Sequence, residues 1–469
     1  MKRIVMKFGG APLANGENIR CAADIIANYA SQGHRIVAVV SALKGITDNL
    51  LEVAERAKKG DKQYVSEFIE RISEKHFAVA GENIKNAHMQ GEVKQILKRT
   101  IRELGRTLTG IIYVGELTPK LKDYVLSFGE RLSTPILWGA LRDMKLKAQY
   151  FTGGEAGIVT NSNFGEADPL MDVTKHHVKE KIEPLLEKGV IPVVTGYMAA
   201  TQDGTITTLG RGGSDYTATI LGAALAADEV WIWKDVDGLM TSDPKIVPTA
   251  KVLRELSFQE AIEMAIFGAK AIHPKALEPA IEENIPVRIR NMFNLENKGT
   301  ILVKEQKIKP GNPVKAVTLV KDVTLVNVSG TGMVGTPGTA AKIFDMLGRS
   351  NINILMISQS VSEANISFII RRDMSERTVS ALEMALLGGG LIHEVKAEDD
   401  VCVVAVVGAG MKGTPGIASR VFGAVARKGI NVRMIAQGSS ELNISFVVKE
   451  TDGEEAVRAI HEEFKLDKI

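Results

Sequence analysis

The sequence predicts an α/β chain. A mostly parallel sheet is covered by helices up to about residue 299, and a tandem of small α/β modules follows. Three observations carry this: short apolar runs alternate with amphipathic helical patterns over residues 1–295, glycine-rich turns fall where those runs end, and a segment near residue 332 recurs 78 residues later.

Ile4–Met6, Arg35–Val40, Ile191–Val194, Glu229–Trp233 and Pro286–Ile289 are short apolar runs, the pattern of strands buried on both faces. Between them, Glu17–Ala30 places Ile19, Ala22, Ala23 and Ile26 on one helical face, and Tyr216–Ala226 and Ser257–Phe267 read as further helices. From about Leu50 to Leu126 the rhythm gives way to long charged amphipathic helices, expected as an insertion forming a lid or interface with solvated charges. In sheets of this kind ligands bind outside the carboxyl ends of the strands, so functional residues are sought there.

In the repeat, Gly332-Met333-Val334-Gly335-Thr336-Pro337-Gly338 returns as Gly410-Met411-Lys412-Gly413-Thr414-Pro415-Gly416. The same shift aligns Ile352-Asn353 with Ile430-Asn431, Gln359 with Gln437, and Asn365–Phe368 with Asn443–Phe446. Each copy reads strand, glycine-proline loop, helix, strand, hairpin, strand. Two copies are too few for a solenoid, so a pair of small modules is expected.

A formal net charge of +2 gives no basic excess, which argues against nucleic-acid or membrane partners. Cys21 and Cys402 lie far apart with no metal-binding spacing, so neither a disulfide framework nor a zinc site is expected. No segment approaches the roughly 20 apolar residues that span a bilayer. A cytoplasmic chain is expected.

Four segments suggest phosphate chemistry. Lys7-Phe8-Gly9-Gly10 ends the first strand with a cation and two glycines, whose backbone can approach a phosphate closely, although any strand can end in a glycine turn. Gly210-Arg211-Gly212-Gly213-Ser214-Asp215 precedes a small-residue helix whose N-terminus favours anions. There Arg211 suits a carboxylate, and Asp215 pairs with either a catalytic lysine or a substrate amine. Trp233-Lys234-Asp235-Val236-Asp237-Gly238 and the segment to Lys245 follow another strand with acceptors and cations, and Gly268-Ala269-Lys270-Ala271 places a lysine at a helix end.

Together with Val40-Ser41-Ala42, Thr47 and Phe128-Gly129-Glu130-Arg131-Leu132-Ser133, these motifs occur in the order seen in aspartate kinases. The chain resembles the monofunctional members of that family over nearly its whole length, and the repeat resembles their two ACT domains. The resemblance implies a three-layer αβα amino-acid kinase fold over residues 1–299, with the helical insertion at about 50–126. It implies two ferredoxin-like α+β ACT domains, at 314–396 and 397–469, with the strand at 314–319 joining the second. It further implies conversion of ATP and L-aspartate to ADP and 4-phospho-L-aspartate, the first step towards lysine, threonine and methionine. Lys7 and Asp215 would be catalytic. Ser41, Thr47, Glu130, Arg211, Gly212, Gly213 and Ser214 would bind substrate, with Arg211 on the α-carboxylate and Glu130 on the ammonium. Lys7, Phe8, Gly9, Gly10, Lys234, Asp235, Met240, Lys245, Lys270 and Ala271 would hold ATP, which carries Mg2+ without protein ligands.

The family pattern also implies feedback by threonine or lysine. The effector positions would be Met333, Gly335, Thr336, Pro337, Gly338, Asn353, Ile354 and Gln359, with Gly413–Gly416, Asn431 and Gln437 as a second set, in a homodimer or homotetramer joined through the ACT domains. Where family members continue Lys-Phe-Gly-Gly with Thr-Ser, this chain has Ala11-Pro12. Lys234, Met240 and Lys245 stand where threonine, tyrosine and arginine are common. Each lost hydrogen bond to a charged group is worth about 1.5–3 kcal/mol, which predicts a slower enzyme rather than an inactive one. Two other readings are a kinase for another amino-acid carboxylate and a catalytically weak amino-acid sensor.

Overall fold

The computed structural model describes residues 1–269, 272–305, 313–361, 364–386 and 392–469. The chain forms two compact units. The first comprises Met1–Gly238, Arg254–Phe258 and Ala271–Lys304; the second comprises Leu239–Leu253, Gln259–Lys270 and Glu305–Ile469. The sequence reading put everything up to residue 299 in one domain, whereas two stretches of it cluster with the second unit. Burial explains this: Val247 and Ala250 join a core with Val317, Val404 and Phe446, and Phe267 joins another with Val323 and Leu325.

In chain order the first unit contains β1 (Arg3–Phe8), α1 (Gly16–Ser31), β2 (Arg35–Val40), α2 (Ile46–Lys58), α3 (Lys62–Asn83), α4 (Ala87–Val114) and α5 (Pro119–Asp143). There follow β3 (Ala148–Phe151), β4 (Val159–Thr160), α6 (Met171–Glu187), β5 (Ile191–Thr195), β6 (Met198–Thr201), β7 (Ile206–Thr208), α7 (Gly213–Ala224) and β8 (Glu229–Lys234). The chain continues through β9 (Glu255–Ser257), α8 (Phe258–Ile266), α9 (Glu278–Glu282), β10 (Val287–Asn291) and β11 (Thr300–Val303), with α8 running on into the second unit. The main sheet has the order β3-β5-β2-β1-β8-β10-β11-β9 and is parallel except where β10 meets β11. All five strands expected from the sequence are in it. Pro286 falls just outside β10 because proline has no N–H to donate, and its carbonyl accepts from Val230 instead.

The Leu50–Leu126 region forms α2 to α4 and the start of α5. Leu50, Val53, Phe68, Ile72, Leu97 and Leu104 share one core with Ile4, Met6 and Phe8 of β1, so these helices bury an apolar stripe each and leave their charges outside. A small sheet, β4-β6-β7, completes the unit.

The second unit contains β12 (Ala316–Ser329), α10 (Thr339–Arg349), β13 (Met356–Gln359), β14 (Asn365–Arg371), α11 (Ser375–Leu386), β15 (Glu394–Val407), α12 (Ile417–Arg427), β16 (Met434–Ala436), β17 (Asn443–Lys449) and α13 (Gly453–Glu463). These strands make one antiparallel sheet of order β13-β14-β12-β15-β17-β16. The expected order within each repeat lacked a helix. Its signal was present: Thr378, Leu382 and Leu386 recur every four residues and are buried. Ala316–Val320 of β12 pairs with Val403–Val407 of β15, and Val323–Ser329 pairs with the other half of β15. An irregularity between Val320 and Val323, with Asp322 at φ 60, separates the two halves.

Candidate active site

β1 lies between β2 and β8, and its last residues open at the carboxyl edge of the sheet. Lys7 is 6% exposed there, with its Nζ 2.5 Å from Asp215 Oδ1. The Nζ of Lys234, the last residue of β8, is 3.2 Å from Asp215 Oδ2. One carboxylate therefore holds two ammonium groups that would otherwise repel each other. Burial pushes the Asp215 carboxyl up, but Lys234 and Lys7 more than offset this and hold it below the usual carboxylate range. Lys7 is drawn down by burial, opposed by Asp215. The trio carries one net positive charge in a buried setting, where electrostatic forces are stronger than in water.

Asp215 is held in the first turn of α7. Gly212, immediately before that helix, adopts φ 71, and a Cβ there would lie 2.6 Å from His273 Cβ, so only glycine fits. Tyr197, at an uncommon φ of 65, donates its N–H to Thr217 Oγ1, and its ring lies against Gly213.

Glu130 comes from α5, which is buried nearly all round over its second half. Its Oε1 accepts from the Ala42 N–H at 3.1 Å and from Ser214 Oγ at 3.5 Å, while its Oε2 is buried with no hydrogen-bond partner. Burial raises the Glu130 carboxyl to about 8, against the pull of the Ala42 N–H and Lys7. A buried carboxylate oxygen left open in this way suits a cationic donor. Ser41 accepts from Ser214 Oγ at 3.3 Å through its hydroxyl, and its carbonyl accepts from Ser133 Oγ at 2.7 Å. Gly129 lets α5 come this close, since a Cβ there would stand 2.9 Å from Ala42 Cβ. Gly129→Ala is expected to push Glu130 from Ala42 and raise the substrate KM more than tenfold, as steady-state kinetics would show.

A cleft of about 800 Å³ is lined by Lys7, Ser41, Thr47, Glu130 and Arg211 to Asp215, bringing together the residues assigned to substrate and transfer. Arg211 is exposed at its wall, with no ion pair among the described residues. Sequence reasoning missed Asp123, Tyr197 and the Phe164–Glu166 loop, which also line it. Asp123 had a signal, lying seven residues before Glu130 and hence on the same helical face.

The nucleotide residues are less uniform. The Phe8 side chain is wholly buried and stacked on Trp233 at 6.2 Å, so it offers backbone only. The Gly9 N–H donates to the Trp233 carbonyl at 3.2 Å and is thus spent within the sheet, against the expectation that it faces a phosphate. Gly10 abuts the Ala42 carbonyl, 3.3 Å from where its Cβ would stand. Asp235 is exposed; Met240 and the exposed Lys245 belong to the second unit, where the Lys245 N–H donates to Asp243 at 2.9 Å. Lys270 and Ala271 lie outside the described residues.

Of the effector positions, Met333 is buried in the core of the first repeat, Gly335 and Gly338 take φ 65 and 85, and Thr336, Pro337, Asn353 and Gln359 are exposed with Ile354 half-buried. In the second repeat Gly413 and Gly416 take φ 67 and 86, and Asn431 and Gln437 are exposed.

A parallel sheet whose carboxyl edge carries this buried charge trio, followed by a paired regulatory-type sheet, defines a protein of the amino acid kinase class with ACT modules. The chain matches the amino acid kinase family over residues 2–291 and the ACT domain over 326–386 and 404–464. It is 34% identical to bifunctional aspartokinase/homoserine dehydrogenase 2 of Arabidopsis thaliana over 99% of its own length, and spans about half (51%) of that protein. It is 33% identical to Arabidopsis aspartokinase 1, covering 98% of this chain and 80% of the relative. Escherichia coli aspartokinase III with aspartate and ADP, in the R-state, superimposes with a TM-score of 0.82 at 30% identity, covering 98% of this chain and 99% of the other. The T-state of that protein with lysine and aspartate gives 0.81, again at 30% identity, covering 99% and 100%. The chain belongs to the aspartokinase family.

Proposed function

We propose that this chain transfers the γ-phosphoryl group of ATP to the side-chain carboxylate of L-aspartate, giving ADP and 4-phospho-L-aspartate, the first step towards lysine, threonine and methionine. The observation that carries this is the Lys7–Asp215–Lys234 trio, whose Lys7 and Asp215 line the same cleft as Glu130, a residue with one buried, unpartnered carboxyl oxygen. Glu130 receives the substrate ammonium, Arg211 the α-carboxylate, and Ser41, Thr47 and Ser214 the remaining polar atoms. A carboxylate oxygen of the side chain attacks the γ-phosphorus, and the bond from that phosphorus to the β,γ-bridging oxygen breaks. A carboxylate is already nucleophilic, so no general base is needed. Lys7 and Lys234 face the charge that spreads over the transferring group, and Asp215 keeps both in place. Magnesium, where ATP brings it, would add charge neutralisation there without protein ligands.

Lys234, Asp235, Met240, Lys245, Lys270 and Ala271, with Lys7 and the backbone of Phe8 and Gly10, are our choice for the rest of the nucleotide. Lys234 brings a cation where threonine is common, which favours retained activity despite Ala11-Pro12. The domain partition at 1–299, 314–396 and 397–469 belongs to this reading, with the exchange of 239–253 and 259–270 noted above. A relative solved with lysine in its T-state supports an amino-acid effector; our choice is lysine or threonine at the first repeat, in a homodimer or homotetramer joined through the ACT domains. Among the described residues no helix is long and apolar enough to cross a membrane. Two unpaired cysteines accord with a reducing, cytoplasmic setting.

Hydroxylamine traps an acyl phosphate directly. Purified protein with ATP, magnesium and L-aspartate is expected to form aspartyl hydroxamate, with little from L-glutamate. Folded protein that yields none from aspartate would sink the proposal; glutamate turning over better would move it to another carboxylate.

A further inference from the structure

We infer that Asp123 is a positioning residue for the amino-acid substrate, fastening the Phe164–Glu166 loop and the base of the Arg211 loop to the helix that carries Glu130. This rests on the aspartate-kinase reading and extends it. Asp123 lies at the cleft wall, fully buried, with both carboxyl oxygens taken up by protein donors. Its Oδ1 accepts from the Thr208 hydroxyl at 2.8 Å, and its Oδ2 accepts from the N–H groups of Thr208 and Gly165, each at 2.9 Å. Thr208 ends β7, three residues before Arg211, and its carbonyl accepts from the Ala167 N–H at 2.9 Å. The two loops are further locked at Gly210, where a Cβ would stand 3.1 Å from Glu166 Cγ. Helix α5 and both loops therefore meet at one carboxylate.

The ends of an α-amino acid are two bonds apart, so a site that grips both with Glu130 and Arg211 tolerates little change in spacing. Asp123 sets that spacing without touching the Lys7–Asp215–Lys234 trio, so its loss should be felt in aspartate binding and not in nucleotide binding. Burial raises the Asp123 carboxyl, against the three hydrogen bonds it accepts. Asparagine is a close substitute on geometry alone. Its oxygen can take both N–H groups while its amide donates to the Thr208 hydroxyl, which reverses its role. Alanine leaves all three donors without a partner.

The test uses the full chain in the hydroxamate assay, titrating aspartate and ATP separately for wild type, Asp123→Asn, Asp123→Ala and the milder Thr208→Val. Asp123→Ala is expected to raise the aspartate KM by about tenfold or more, with the ATP KM within about twofold. Asp123→Asn should stay within about threefold of wild type, and Thr208→Val should fall between. An asparagine variant as impaired as alanine would mean that the charge itself is needed and would overturn the inference. So would aspartate and ATP constants rising together, the mark of a general structural role. If Asp123→Ala does not fold, the asparagine and Thr208→Val variants decide. Wild-type turnover with unchanged constants in the variants overturns this inference alone, whereas wild type inactive on aspartate overturns the function and this with it.

Discussion

Lys7→Ala is expected to lower kcat by about 10²–10³-fold, the usual effect of removing one preorganised donor aimed at a transition state. The size of the loss follows from burial, since Lys7 is nearly inaccessible and faces Asp215 at 2.5 Å, so no water can replace its charge in the same place. The variant should also lose stability, because among the described residues Asp215 keeps only Lys234 as an ion-pair partner; the loss should stay below the roughly 3–5 kcal/mol cost of stranding a buried ion altogether. Activity must therefore be divided by the folded fraction at the assay temperature. Pairing Lys7→Met with Asp215→Asn removes both charges and should recover much of the melting temperature while leaving kcat low. Recovery of kcat in the pair would show that Lys7 acts only by balancing Asp215.

Glu130→Gln is expected to raise the aspartate KM by about 100-fold, in line with about 2–5 kcal/mol for removing one member of a buried, hydrogen-bonded charge pair. The ATP KM should hardly change. The pH dependence makes the test specific. In the ligand-free protein Glu130 titrates at about 8, so below that pH it is neutral, and binding an ammonium must expel a proton. The apparent KM should therefore fall by about tenfold per pH unit from pH 6 towards 8 and then level off. Glu130→Gln should flatten this slope. Stability runs the other way. A carboxyl raised from its ordinary 4.5 gives its full contribution below that value and loses it as pH rises towards about 8. Ligand-free wild type should thus lose ground to Glu130→Gln in thermal unfolding between pH 5 and 8, and aspartate should restore it. A KM independent of pH in wild type would remove Glu130 from the ammonium site.

The parallel sheet was legible because each central strand is buried on both faces and so appears as an unbroken apolar run. The internal repeat was legible because glycine and proline mark the same turn twice. Less legible was anything set by partners distant in sequence. Asp123 looks like one more charge on an amphipathic helix until Thr208 and Gly165 fold onto it. Gly9 belongs to a turn whose backbone can approach a phosphate, but its N–H is taken by the Trp233 carbonyl, a pairing fixed only once β8 lies beside β1. Residues 239–253 follow a first-unit strand without a break, and only the burial of Val247 and Ala250 places them in the second unit. Ser375–Leu386 was lost to a shorter cause, a four-residue apolar spacing overshadowed by the hairpin reading of what precedes it.

A duplicated module usually frees its two copies to diverge, or one of them to be discarded. The shared strands β12 and β15 withhold that freedom, because half of each belongs to the sheet neighbourhood of the other copy. Cutting the chain between the repeats would strip each of an inner strand and expose a row of unpaired backbone groups. The two modules are therefore bound to fold as a single object, and a change in one copy's strands is constrained by the packing of the other.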